Sequence, residues 1–217
     1  MNSLHRTFSS ARWCLLQASG AAGELPADQV VTLEGFSGVR HDIQIGLTMA
    51  AISGFFSVLD KVAFALNSYL HMGHTDATLH FNTIWSALGW KRRKGQGRIP
   101  ERRADLHPAI KRTTTRPLLG LYHLAISLER GLGSYQDLRD LRNQLEHRVV
   151  VATSQPFSSR YFYTIEANAL QRRAVLMGRV AKAAMWYFGG TAWWLEYQRL
   201  KRAGRLGQVP PTSPPVS

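Results

Sequence analysis

Residues 55–70 read F-F-S-V-L-D-K-V-A-F-A-L-N-S-Y-L, and their spacing is helical. Phe55, Phe56, Leu59, Val62, Ala63, Leu66, Tyr69 and Leu70 recur every three or four positions, the period of a helix with a buried stripe. Leu47 and Ile52 extend the stripe upstream, so one long helix is predicted from about His41 to His71, with Gly73 as its stop. Ile43–Leu59 carries no charge over 17 residues, yet it holds Gln44, Thr48, Ser53, Ser57 and two glycines. That falls short of the roughly 20 apolar residues a bilayer span needs, as does Ala183–Leu195. Both segments are expected in a protein core, and no membrane association is expected.

Working outward from this helix, the same periodicity recurs. A helix is expected over Pro117–Leu132, with Pro117 in its first turn. Another begins after Ser134 as N-cap and runs to about Val151. After a loop at Thr153–Ser159, a last long helix spans about Ile165–Ala203, with Gly189-Gly190 as a kink. Strand signal is scarce, and no repeat is present. The expected fold is an all-α bundle of four main helices.

Three regions follow. Residues 1–36 form an N-terminal lead with a short helix at Phe8–Gln17 and an extended V-V-T-L piece. Residues 37–203 form the helical domain, and 204–217 a Pro/Ser-rich tail expected to be disordered. The first 23 residues lack acids and loosely resemble an organelle transit peptide, but an ordinary amphipathic lead-in is the preferred reading. Residues 80–90 are expected to add a short helical turn.

The chain has 217 residues and a formal net charge of +13, which favours a polyanionic partner (RNA, DNA or an anionic membrane surface) over the plainer reading of a basic protein with no nucleic-acid role. The basic charge peaks in K-R-R-K-G-Q-G-R-I-P-E-R-R, residues 91–103, expected as a Gly- and Pro-broken loop. Lys91, Arg92, Arg93, Lys94, Arg98, Arg102 and Arg103 are its candidate phosphate contacts, against the plainer reading of a solvated loop. Phe81, Trp85 and Trp90 lie just upstream, where core packing competes with stacking on bases. One cysteine, Cys14, excludes an internal disulfide and a Cys-rich zinc site, and fits a reducing cytoplasm. His71, His74, Asp76 and His80 have loose metal-ligand spacing, but nothing supports the ligands, so no metal or other cofactor is expected. Gly-rich phosphate loops and nucleophile elbows are absent.

The chemistry concentrates in D-L-R-D-L-R-N-Q-L-E-H-R, residues 137–148. Leu138, Leu141, Leu145 and Val149 make an apolar stripe, while Asn143 and His147 share the opposite face with Asp140 nearby. Arg142 lies between the faces, four residues before Glu146, and an Arg142–Glu146 pair beside a solvated His147 is the plain structural reading. The functional reading joins three groups. An imidazole can take a proton from a ribose 2′-OH and return one to a leaving oxygen, and an arginine can grip a phosphate. An amide can orient either. Arg142 and His147 are five positions, about 140°, apart on one helix, so a second copy across a two-fold axis would converge them better.

R-N-Q-L-E-H resembles the Arg–polar–x–x–x–His signature of the HEPN superfamily. Residues 55–70, R-P-L-L-G-L-Y-H-L-A at 116–125 and D-L-R-N-Q-L-E-H-R at 140–148 are similar, in order, to helices of a larger bacterial branch of that superfamily. Arg179-Val180-Ala181 matches an Arg-x-Ala step of the same branch, and the likeness covers roughly residues 10–200. The resemblance implies a HEPN-like helical bundle, a homodimer, and metal-independent endoribonuclease activity in a toxin–antitoxin, defence or RNA-processing setting. It implies catalytic roles for Arg142, Asn143 and His147, supporting roles for Asp60 and Lys61, and an antitoxin or regulatory protein as partner. Other members of the superfamily only bind RNA. This chain departs in having no TPR repeats and an unusually basic 91–103 segment. A third reading is a helical adaptor built on Trp186, Tyr187, Phe188, Trp193, Trp194 and Tyr197, which otherwise read as core or dimer interface.

Overall fold

A helix as apolar as Ile43–Leu70 must be covered on more than one side, and the fold is arranged around it. The computed structural model describes residues 2–20, 39–40, 43–75, 79–93, 97–113, 115–131, 135–147, 149–153 and 162–204, some of them by backbone alone. In chain order the elements are α1 (Asn2–Ala18), β1 (Val39–Arg40), α2 (Ile43–Leu70), β2 (Ser86–Arg93), β3 (Gly97–Leu106) and α3 (Pro108–Arg112). They continue with α4 (Arg116–Arg130), α5 (Tyr135–His147), β4 (Val149–Thr153), β5 (Phe162–Glu166) and α6 (Ala167–Arg202).

The four expected helices are present as α2, α4, α5 and α6, and the fold is an all-α bundle with small strand additions. Phe55, Val58, Leu59, Val62, Ala63 and Leu66 of α2 are buried against Leu118 and Leu121 of α4, Leu138 of α5, and Met177, Ala181 and Phe188 of α6. By length and hydropathy α2 could cross a membrane. In this fold its stripe is the bundle core. A second, smaller cluster joins Ile45 and Ile52 of α2 to Leu141 of α5, Ala152 of β4, Ile165 of β5, and Leu170 and Ala174 of α6. Phe81 and Trp85 are core residues, packed edge to face at 5.9 Å, so neither is a stacking platform for bases.

The helix ends follow local chemistry. Thr115 caps α4, its hydroxyl accepting the Leu118 N–H at 3.2 Å, and Gly131 closes the helix at φ 63°. At the end of α2, the Asn67 side chain clamps the His74 backbone, donating to its carbonyl at 3.0 Å and accepting its N–H at 3.1 Å. α5 stops at His147 rather than near Val151, because Val149-Val150-Val151 is β-branched and enters β4. The Ser134 cap, the V-V-T-L piece, Asp76 and the 205–217 tail lie outside the described residues.

Several expectations are corrected. The basic segment, expected as a loop, is extended over its described residues 91–93 and 97–103: β2 and β3 form an antiparallel ribbon in which Trp90 pairs with Pro100 and Arg92 with Arg98. Both strands of a two-stranded ribbon are edges, so a proline without an N–H is tolerated there. Lys94 lies outside the described residues. A small sheet of order β1-β4-β5, with β4 parallel to β5, covers one end of the bundle core. α6 runs unbroken through Gly189-Gly190. Gly190 is there for close approach, since a Cβ would stand 3.1 Å from Pro117 of α4.

The helix in the lead segment is longer than expected and packs into the core through Leu4 and Ala11. α1 crosses α2 at Gly54, where a Cβ would lie 2.8 Å from the Ala11 Cβ. Gly54→Val should therefore force the helices apart and cost about 1–3 kcal/mol, read as a lowered midpoint in thermal or denaturant unfolding.

His107 precedes α3, and its Nδ1 accepts the Ala109 N–H at 3.2 Å while Nε2 faces the Met72 carbonyl at 3.1 Å. Both contacts suit the neutral ring with its proton on Nε2. Burial lowers its pKa from the ordinary 6.5; the Met72 carbonyl opposes this, and Arg112 adds to it. A folded-state value below the unfolded one means that the unfolded chain binds more protons in that range. Stability from this group is full above pH 6.5 and is lost as pH falls through the folded value. His107→Asn, which keeps a capping oxygen, should flatten the acid side of the stability–pH curve measured by denaturant unfolding.

Candidate functional site

α5 is 13 residues long and would be marginal alone; burial of Leu138 and Leu141, each worth about 1.5–3 kcal/mol, holds it in place. Leu145 continues the stripe, partly buried, whereas Val149 belongs to β4. Arg142 follows Leu141 and so emerges at the edge of the packed face, beside α2.

Across that seam, Phe56 and Asp60 sit one helical turn apart on α2. The Arg142 guanidinium carbon lies 5.5 Å from the Phe56 ring centroid, and its Nη2 is 3.4 Å from Asp60 Oδ2. The other oxygen, Asp60 Oδ1, accepts the Phe81 N–H at 3.2 Å and is 3.9 Å from His80 Nδ1. One carboxylate thus links α2, the 80–81 turn and α5, and it fixes the direction of the arginine.

The other motif residues divide. Asn143 and His147 occupy successive turns near the end of α5 and are described by backbone alone, as is Glu146. Asp140 is exposed. Lys61 does not join Asp60; its Nζ donates to the Thr7 hydroxyl of α1, a tie between helices. Side chains of Lys91, Arg92, Arg93, Arg98, Arg102 and Arg103 are likewise undescribed, though their backbones form the ribbon.

Sequence reasoning missed Phe56 and His80 as neighbours of Arg142. Phe56 was accessible from its four-residue offset to Asp60; His80 was read only as a metal candidate. It also missed Arg173 of α6, whose Nη1 donates to the Tyr163 hydroxyl at 3.0 Å and whose Nη2 is 3.4 Å from Asp137 Oδ1. That contact ties the first turn of α5 to α6 and β5. The histidines of the 71–80 segment are dispersed: His74 is buried with its ring 5.5 Å from that of His107, while His80 flanks Asp60. Among the described residues, no three His, Cys, Asp or Glu side chains group to hold a metal.

The Arg142 and Asp60 side chains are 17% and 27% exposed, so their coupling should be modest. A double-mutant cycle with Arg142→Ala and Asp60→Ala should give an interaction of about 1 kcal/mol in unfolding free energy. Strict additivity would mean that the carboxylate does not hold the arginine.

No curated protein matches this chain, and no solved structure does. A family model described as LA2681-like HEPN matches residues 1–191, a span containing α1 through α5, most of α6 and the Asp60–Arg142 seam. The chain belongs to the LA2681-like HEPN family.

Proposed function

We propose that this protein is a metal-independent endoribonuclease acting through the α5 motif as a homodimer. The observation that carries this reading is the Asp60-oriented Arg142, standing five residues before His147 on α5 in a HEPN family member.

In the proposed reaction, His147 takes the proton from a ribose 2′-OH as that oxygen attacks the adjacent phosphorus. The bond from phosphorus to the 5′ oxygen breaks, and the imidazolium returns a proton to the leaving oxygen. The products are a 2′,3′-cyclic phosphate and a 5′-hydroxyl. Arg142 offsets the charge that builds on the phosphoryl oxygens, and Asn143 orients the phosphate. Asp140 and Glu146 support the motif from the same helix. Two copies would face their α5 helices across one cleft, and the β2–β3 ribbon, with its six arginines and lysines in paired strands, would track the backbone of the same RNA.

RNA cleavage that persists in EDTA should fall at least about 100-fold in His147→Ala and in Arg142→Ala, measured on a labelled RNA with end-group analysis. Undiminished cleavage in His147→Ala would sink the assignment.

A second reading is a non-catalytic RNA-binding or dimerising module. The Asp60 contact favours it, because a carboxylate already occupies part of the arginine's charge. RNA binding that survives both substitutions, without cleavage by any variant, would select it.

A further inference from the structure

α6 has two faces of opposite character. Ala174, Met177, Ala181, Ala184 and Phe188 are buried against the bundle. At about 100° per residue, the face diametrically opposite carries Arg172, Arg179, Lys182, Trp186, Trp193 and Tyr197 within an arc of about 80°. All six are exposed, the tryptophans at 61% and 64%. An outer helix face is ordinarily polar, so two such tryptophans at that distance from the core need another explanation.

The charge on this helix is one-sided: seven arginines and lysines against a single acid, Glu196, which lies 3.8 Å from Arg199. Arg172 and Arg179, with Gln171, Val175 and Leu176, line an open depression of about 360 Å³. Further along, the Trp193 and Tyr197 rings lie nearly parallel, 15° apart with centroids at 5.6 Å, so their rotamers are already restrained. Gly189, between the two tryptophans, has nothing within 4 Å of a Cβ position and leaves the backbone open there.

We propose that the outer face of α6 is a binding track for single-stranded RNA, separate from the Arg142 site. The guanidinium and ammonium groups at its N-terminal half take phosphates, and Trp186, Trp193 and Tyr197 stack on unpaired bases. From Arg172 to Tyr197 the track is about 38 Å long, enough for several nucleotides. Charge weighs against a parallel pairing of this face with a second copy, which would bring cations against cations. The stripe is also narrow: the broad apolar side that an interfacial membrane helix would insert is already in the core. The inference rests on the RNA reading above for the identity of the polyanion.

The test is fluorescence anisotropy of the full chain with a labelled oligouridylate about 20 nucleotides long, over a range of salt. Trp186→Ala/Trp193→Ala/Tyr197→Ala should weaken binding about tenfold or more, with an unchanged far-UV spectrum. The all-Phe equivalent should restore most of it, since a phenyl ring still stacks. Arg179→Glu/Lys182→Glu should weaken binding and flatten its salt dependence. Wild-type affinity in the alanine variant overturns the track but leaves the α5 assignment standing. No RNA binding by the wild-type chain overturns both. A change from dimer to monomer in the alanine variant, or a stripe-dependent affinity for phosphatidylserine vesicles with RNA binding intact, reassigns the face and overturns the proposal.

Discussion

The central helix α2 carries only two charges, Asp60 and Lys61, in 28 residues, and satisfying them constrains how the rest of the bundle docks. A charged group at a packed seam is costly unless it is paired or hydrogen-bonded. Asp60 meets that condition with Arg142 and the Phe81 N–H, and Lys61 meets it with Thr7. Adjacent residues on a helix point about 100° apart, so the two charges reach different neighbours. One sets the approach of α5 and the 80–81 turn, and the other sets α1. Apolar burial supplies the stability of this bundle, but it is non-directional. The two polar ties select which helix lies where around α2.

This division explains what could be read from the sequence. The four main helices were legible because each repeats apolar residues at helical spacing, from Phe55–Leu66 in α2 to Met177–Phe188 in α6. The strands were not. The segment 86–106 is rich in charge and interrupted by Gly and Pro, and its ribbon has no apolar alternation to announce it. β1, β4 and β5 are short, and pairing between residues 39–40 and 152–153 is set by tertiary packing rather than local preference. The close approach that explains Gly190 likewise involves a neighbour, Pro117, far away in sequence.

The candidate site was legible as a residue set and illegible as a set of contacts. The Arg142–Glu146 pair expected from helix spacing falls on a side chain outside the described residues; across the seam the arginine also meets Asp60, 82 positions earlier, which no local spacing could announce. Asp60-Lys61 looked like a unit because the residues are adjacent. On a helix, adjacency separates them, and the pairing with Thr7 puts Lys61 in the scaffold. The aromatic run of α6 had been assigned to core or interface as a block; the 100° step sends Phe188 inward and Trp186 and Trp193 outward.

The Asp60 contact bears directly on how Arg142 could serve catalysis. A phosphate and a carboxylate compete for the same guanidinium donors. At 3.4 Å the Asp60 contact is longer than the roughly 2.8 Å of a strong charge-assisted bond, and both side chains retain some solvent access. Such a contact restrains the fork without locking it. Phe56 restrains it further by lying against the guanidinium, a contact that persists whichever anion the arginine faces. The entropy of ordering a long side chain is therefore largely met before any ligand arrives. A second, desolvated carboxylate at optimal distance would have made the arginine structural; a weakly held, half-covered one leaves it oriented and exchangeable, which is the state a phosphate-binding cation requires.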